Sequence, residues 1–225
     1  IHNEISNLRI LIPEIIQNIK KINNDFEIIL INDCSTDDSL KFCNSLLKND
    51  SNYEIKTLNL EKKSGQSYAF KNAFKIATGE YIIKMDADLQ DHPKDLKSFV
   101  KKINQNYDVI VGDRVKRKHN FFLFLAEKIY DVIIKLVFNS PIKTNHGSFT
   151  AYKAKYVKDF PWHKNDHRYL TIIALQKGAK NLCNIPVTHR KRIYGVSKYN
   201  ILTKLLLGTL EITSFIIRVF SRRYK

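Results

Sequence analysis

The chain has 225 residues, with 38 lysines and arginines against 22 aspartates and glutamates, which gives a formal net charge of +16. Hydrophobic residues make up 44% and charged residues 27% of the sequence, a balance that excludes a globally disordered chain. Only 7 glycines and 5 prolines occur, so collagen-like and low-complexity architectures are excluded as well. Length and composition together predict one globular domain with a sizeable core.

The cysteines and the apolar runs bear on the cellular compartment. The 3 cysteines are widely spaced and form no CxxC pair, so they predict neither a zinc site nor a disulfide framework. No secretory signal precedes Ile1, and the apolar run 205–217 is shorter than the ~20 residues that span a bilayer. We therefore expect a cytoplasmic protein without a membrane span of its own.

The first half of the sequence alternates helical and strand patterns. Apolar residues at helical spacing predict an amphipathic helix over residues 7–21. Runs rich in β-branched residues predict strands at 27–31, 53–60, 81–85 and 108–111. Three more helices are expected: 35–48 opened by a capping box of Ser35 and Asp38, 70–77 closed by Gly79, and 93–104 opened by Pro93. This order predicts a parallel sheet covered by helices on both faces.

The second half contains two long apolar segments flanked by positive charge. Residues 119–138 are apolar nearly all round, so they are either buried between layers or lie at a lipid interface. Residues 200–220 repeat the pattern before a basic end. Basic clusters beside such helices favour an anionic membrane surface as partner over nucleic acid. The clusters are Arg114 with 116–118, residues 190–192, and Arg218 with Arg222, Arg223 and Lys225.

Two predicted strands each lead directly into a carboxylate, at Asp33 and at Asp86. The carboxyl ends of strands line the ligand crevice in open parallel sheets. Asp86 and Asp88 are two residues apart, so in an extended backbone their side chains emerge on the same face. Close carboxylates repel each other unless a cation lies between them, and oxygen ligands favour Mg²⁺ or Mn²⁺. The sequence predicts such a site at Asp86 and Asp88, to which Gln90 adds a carbonyl oxygen, or else carboxylates that only cap the next helix.

The acidic residues belong to a longer series of motifs. The series comprises residues 27–38 (EIILINDCSTDD), Gly65 with Ala69, and residues 77–93 (ATGEYIIKMDADLQDHP). It resembles family 2 glycosyltransferases of the GT-A fold over nearly the whole chain. The resemblance implies an α/β fold with a Rossmann-like, mostly parallel sheet, helices on both faces and C-terminal amphipathic helices. It also implies a nucleotide-diphosphate-sugar donor and inversion at the anomeric carbon.

The resemblance assigns roles on the donor side. The implied nucleotide-binding residues are Glu4, Asp33 and Gly65, and the implied ligands of a metal on the diphosphate are Asp86, Asp88 and Gln90.

The chain departs from the family pattern at several positions. The first strand is reduced to Ile1–Glu4, so nucleoside contacts from that strand are expected to be missing. Asn32 stands where the family has an aspartate and Cys34 where it has a glycine, so Asp33 would make the base contact alone. Residues 145–150 (NHGSFT) lack the acid and the arginine of the related Asp-x-Gly-x-Phe-Arg motif.

Residues 190–199 (RKRIYGVSKY) bear on the acceptor, because they resemble a segment of dolichol-phosphate mannose synthases and bacterial polyprenyl-phosphate glycosyltransferases. A hydroxyl acceptor needs a carboxylate base, for which Asp166 is the candidate, whereas a phosphate acceptor needs none. The candidate catalytic residues are therefore Asp86, Asp88, Arg192 and Asp166. The candidate phosphate-binding residues are Arg114, Arg117, Arg192, Ser197 and Lys198.

The leading hypothesis is a single GT-A domain over residues 1–225. Its nucleotide-sugar-binding half is 1–112, its acceptor-side half 113–199, and its amphipathic basic helix 200–225. It would transfer a hexose to polyprenyl phosphate while bound peripherally to the inner face of the membrane. Two alternatives stay open, namely transfer to a hydroxyl of a surface polysaccharide or lipopolysaccharide, and a catalytically weak membrane-associated scaffold. A membrane-protein partner or a homo-oligomer is compatible with each.

Overall fold

The fold is taken from a computed structural model that describes residues 1–22, 25–47, 53–114, 121–191, 201–221 and 224. At 121–127, 201–207 and 209 it describes the backbone alone. Four predicted site residues lie outside the described residues: Arg117, Arg192, Ser197 and Lys198.

Strands and helices alternate along the chain. The strands are β1 (Glu27–Asn32), β2 (Glu54–Asn59), β3 (Tyr81–Lys84), β4 (Val109–Arg114), β5 (Thr150–Lys153) and β6 (Leu182–Val187). The helices are α1 (Ile5–Ile19), α2 (Ser39–Leu46), α3 (Gln66–Ile76), α4 (Leu96–Ile103), α5 (Phe121–Phe138), α6 (Ala154–Val157), α7 (Leu170–Gln176) and α8 (Ile201–Phe220). Short 3₁₀ turns occupy Pro93–Asp95 and Asp166–Arg168. Each predicted strand and helix of the first half is present within a few residues of its expected bounds.

The strands form one parallel pair, β1–β2, and a four-stranded sheet in the order β3-β5-β4-β6. β4 and β6 are parallel, whereas β5 runs antiparallel to both β3 and β4. The mixed sheet keeps the carboxyl ends of β3 and β4 at the same edge, because both pair with β5 in the same sense. Four strands and helices of the second half, β5, α6, α7 and β6, were not predicted from the sequence.

Helices cover both faces of the larger sheet, as predicted. Val109 and Val111 of β4 point into a core with Ile134 of α5 and Phe215 of α8. Ile110, between them, points into a second core with α1 and α4. Alternate residues of one strand are therefore buried on opposite faces, as expected for a strand between two helical layers.

Two expected helix signals are wrong. The Ser35–Asp38 capping box does not form, because Ser35 Oγ accepts a hydrogen bond from the backbone of Asn3 at 3.0 Å, and Asp38 makes no side-chain cap. Gly79 does not close α3, which already ends when the backbone becomes extended at Ala77. Gly79 N donates to Glu27 Oε1 at 3.1 Å, so it ties the loop to β1.

The start of the chain lies beside β1. Ile1 N donates to Ile31 O at 2.8 Å and Asp33 N donates to Ile1 O at 2.7 Å, the hydrogen bonds of a parallel pair. Within the described residues, β1 and β3 are not paired with each other. A cavity of about 1850 Å³ runs between them, from apolar residues such as Ile28 and Ile83 to Asp33 and Asp86 at the carboxyl ends of the strands.

The sequence left open whether the long apolar helix α5 is buried between layers or lies at a lipid interface. In the structure one face of α5 is buried and the other is exposed. Ile134 is fully buried, and Phe138 packs on Phe215 of α8 with 5.9 Å between ring centroids. The opposite face stays exposed at Ile129, Val132 and Leu136, and α8 exposes Leu210, Ile217 and Phe220. In the part of the chain that the structure describes, no helix is both long and apolar enough to cross a membrane.

Candidate active site

The segment that follows β3, residues 86–91, is called the acidic loop here. Asp86 and Asp88 line the cavity, whereas Gln90 is absent from its described lining. The side chains of Asp86, Asp88 and Gln90 were expected on one face of an extended backbone. Gln90 does not follow this pattern because the backbone turns at Leu89, whose φ is +62°. A left-handed conformation costs a leucine roughly 1–2 kcal/mol, so surrounding contacts must hold it. The first two predicted metal ligands thus share the cavity, and the third does not join them there.

Asp86 lies in a region of concentrated charge. Burial raises the pKa of Asp86, and the negative charges of Asp88 and Asp91 raise it further, while Lys84 and Arg114 oppose this. Two carboxylates that line the same cavity are hard oxygen ligands, so Asp86 and Asp88 fit a divalent cation. Among the described residues, no group of three histidine, cysteine or acidic side chains could hold a metal. A hard cation here would complete its oxygen shell with water and diphosphate oxygens.

Arg114, a predicted phosphate-binding residue, contacts Asp91 of the acidic loop. Its Nη2 contacts Asp91 Oδ1 at 3.2 Å and also donates to Ser148 Oγ. Ser148 Oγ in turn donates to Asp91 Oδ2 at 2.6 Å, and Asp91 is 1% exposed. The guanidinium belongs to a buried network that joins β4 to the acidic loop, and its role in binding phosphate stays a prediction.

Asp33 anchors the loop that opens α3. Its Oδ1 accepts from Ser64 N at 2.6 Å and its Oδ2 from Gly65 N at 3.0 Å. Gly65 has φ +81°, which explains the glycine at this turn. Asp33, Gly65 and Glu4 all line the cavity, as their predicted nucleotide-binding role requires. The Asp33 carboxylate is nevertheless occupied by backbone donors, so its contact with a base stays a prediction.

Cys34 adopts φ +57°, a conformation that glycine tolerates and cysteine does not favour. The departure from the family glycine at this position therefore introduces local strain.

His167 is a cavity residue that the sequence analysis missed, and Lys84 of β3 is a buried lysine in contact with its backbone. His167 lines the cavity, and its Nδ1 lies 2.8 Å from Ser67 Oγ of α3. Burial, together with the charges of Lys84 and Arg168, lowers the pKa of His167 to about 3, so the imidazole is neutral. Lys84 Nζ donates weakly to His167 O at 3.4 Å, and burial lowers the pKa of Lys84 as well. A lysine within an apolar strand run was the signal that could have revealed this contact.

Asp166, the candidate base, is fully buried. Its Oδ1 accepts from Arg218 Nη2 at 2.9 Å and from the Tyr224 hydroxyl at 3.0 Å, and its Oδ2 accepts from His163 N at 2.7 Å. It is not part of the described cavity lining. A general base must reach the acceptor proton, so this burial counts against the base role of Asp166, which stays a prediction. Asp166 instead fastens α8 and Tyr224 to the loop that carries His167.

The sequence is similar to curated proteins, two of which have the same name. The chain is 29% identical over 202 residues to the undecaprenyl-phosphate 4-deoxy-4-formamido-L-arabinose transferase of Pectobacterium atrosepticum. It is 27% identical over 202 residues to the protein of that name from Proteus mirabilis. Each match covers 90% of this chain and 61% of the relative, so the chain spans about three fifths of the length of these relatives.

Solved structures agree with the predicted fold. Glucosyl-3-phosphoglycerate synthase from Mycobacterium tuberculosis, in complex with phosphoglyceric acid, superposes with a TM-score of 0.61 at 13% identity, over 85% of this chain and 70% of that one. The mannosyltransferase PcManGT from Pyrobaculum calidifontis, in complex with GDP-Man and Mn²⁺, gives 0.51 at 18% identity, over 81% and 54%. At these identities the likeness shows the fold alone, and it confirms the GT-A prediction. Residues 1–160 match the sequence profile described as Glycosyl transferase family 2, and since that is more than half of the 225 residues, the chain belongs to this family.

Proposed function

We propose that the chain transfers a hexose from a nucleotide-diphosphate sugar to a polyprenyl phosphate, with inversion at the anomeric carbon. The observation that supports the proposal is that, in the part of the chain that the structure describes, neither Asp166, the predicted base, nor His167 of the cavity lining is suited to take up a proton. Asp166 is buried in its own ion pair, and His167, with a pKa of about 3, holds a proton too weakly to accept one at pH 7. A phosphate acceptor brings its own nucleophilic oxygen and needs no such base.

The donor side of the proposal rests on Asp86 and Asp88. Mg²⁺ or Mn²⁺ held by this pair would neutralise the charge that develops on the departing diphosphate. Asp33 holds the Ser64–Gly65 turn, which lines the same cavity as Asp86 and Asp88, and we propose that the nucleotide binds in this cavity. The names of the relatives, which refer to undecaprenyl phosphate, support the acceptor class.

Positive charge and the exposed apolar helices support work at a membrane surface. Lipid-linked phosphate is presented at the bilayer, and amphipathic helices bind there through apolar area and attraction to anionic lipid. Ile129, Val132 and Leu136 lie at helical spacing on one exposed face of α5, in a chain of net charge +16. We propose peripheral binding to the inner face of the membrane through this surface.

The reaction can be tested with radiolabelled nucleotide sugars, undecaprenyl phosphate and a polysaccharide acceptor, with and without Mn²⁺. Trp162 is the single tryptophan and lines the cavity, so its fluorescence reports nucleotide binding independently of transfer. Label in the lipid extract that requires Mn²⁺ supports the proposal. Label only in the polysaccharide supports the hydroxyl alternative, and neither transfer nor a fluorescence change supports the scaffold alternative.

A further inference from the structure

Arg190 binds the backbone of the acidic loop at three successive residues. Its Nε donates to the carbonyl oxygen of Leu89 at 2.8 Å. The backbone N–H of Arg190 donates to the carbonyl oxygen of Gln90 at 2.8 Å. Its Nη2 donates to the carbonyl oxygen of Asp91 at 3.3 Å. All three contacts are to carbonyl oxygens, so Arg190 holds the path of the loop without using its carboxylates.

Glu14 of α1 fixes the third nitrogen of the guanidinium. Arg190 Nη1 lies 3.1 and 2.9 Å from the two carboxylate oxygens of Glu14. Each of the three guanidinium nitrogens therefore has its own partner, and the side chain bridges the acidic loop to α1. A lysine ammonium has one nitrogen and could not reproduce three contacts in fixed directions.

Leu89 explains why the loop needs this support. Its backbone is left-handed, and such a conformation persists only where neighbouring contacts determine it. The Leu89 side chain is fully buried, and its carbonyl oxygen is bound by Arg190. The next residue, Gln90, donates its N–H to Asp88 Oδ1 at 3.1 Å. A relaxation at Leu89 would therefore turn the Asp88 carboxylate as well.

We propose that Arg190, held by Glu14, is a positioning residue that keeps Leu89 left-handed and thereby directs Asp88 into the cavity. The inference rests on the proposed function only in taking Asp88 as a metal ligand. Because Arg190 also stands two residues before Arg192, it ties the acidic loop to the start of the segment predicted to bind phosphate.

The test compares the wild-type chain with Arg190→Lys by hydrogen exchange over residues 86–91 in metal-free protein, and by Mn²⁺ binding followed by paramagnetic resonance. We expect exchange to be about tenfold faster in this segment, since local opening sets exchange rates. We expect Mn²⁺ to bind about 10–100-fold more weakly, as is typical when a residue that orients a ligand is lost. Glu14→Gln should show the same change to a smaller degree. The matched control is Glu54→Gln, which removes one of the two ion pairs of Lys56 at the amino end of β2, whereas the acidic loop follows the carboxyl end of β3.

A rescue experiment separates positioning from general destabilisation. Leu89→Gly and Leu89→Ala both remove the buried side chain, but only glycine relieves the left-handed strain. Added to Arg190→Lys, Leu89→Gly should restore Mn²⁺ affinity more than Leu89→Ala. Unchanged exchange in Arg190→Lys, or equal recovery with glycine and alanine, overturns the proposal. The exchange measurement needs neither donor nor acceptor, so it decides the matter even if sugar transfer is never detected.

Discussion

Replacing Asp166 by asparagine distinguishes a buried anchor from a catalytic base. In the structure this carboxylate is fully buried and accepts from Arg218, from the Tyr224 hydroxyl and from the backbone of His163. The substitution leaves the Arg218 guanidinium, whose side chain is 14% exposed, without its charged partner. Removing one member of a buried ion pair costs about 3–5 kcal/mol. In a chain of this length, 1 kcal/mol shifts Tm by roughly 2–4 °C, so we expect a drop of about 6–20 °C.

The assay is thermal unfolding together with sugar transfer at a temperature well below the transition. If Asp166 is an anchor, the folded fraction of Asp166→Asn should retain kcat within a few-fold while Tm falls. Arg218→Met should reproduce the loss of stability, because it breaks the same pair from the other side and leaves Asp166 uncompensated. An unchanged Tm with kcat reduced a hundredfold or more would refute the reasoning and restore the base role and the hydroxyl acceptor.

Three further predictions test the site and its supports. Asp88→Asn should abolish Mn²⁺-dependent transfer while Tm stays within a few degrees, and full turnover in this variant would exclude Asp88 as a metal ligand. Cys34→Gly should relieve roughly 1 kcal/mol of left-handed strain and leave Tm unchanged or higher, whereas a clear fall in Tm would show that the thiol packing outweighs the strain. Although burial opposes it, hydrogen bonds from Lys56, Thr78 and Gly79 lower the pKa of Glu27 to about 2. This carboxylate therefore stabilises the fold above pH 4.5 and loses that contribution as the pH falls towards 2. Acid unfolding of Glu27→Gln should lack this part of the pH dependence, and an identical acid profile would contradict the assignment.

Most of the strands and helices in the first half of the chain could be predicted, because each is indicated by the residue pattern within its own segment. The strands at 27–32 and 81–84 are short β-branched runs that end in carboxylates, and the helices between them keep apolar spacing. β5 was missed since Thr150–Lys153 has four residues and no alternating pattern. This segment is a strand because it pairs with β3 on one side and β4 on the other. The residues with which it pairs come about 40–70 positions earlier in the sequence.

The sequence by itself determined the family and the acidic pair, since both depend on residue types at short spacing. It singled out Gly65 as well, but the left-handed turn that explains this glycine is visible only in the structure. Only the tertiary structure decided which polar side chains are available for chemistry. In the sequence, Asp166 is a candidate base and Arg114 a candidate phosphate ligand. The structure shows that Asp166 is paired with Arg218 and Arg114 with Asp91, and both partners are distant in the sequence. Lys84 and His167 meet across 83 residues of sequence. A buried charge is defined by the groups that surround it, and those groups come together only when the chain has folded.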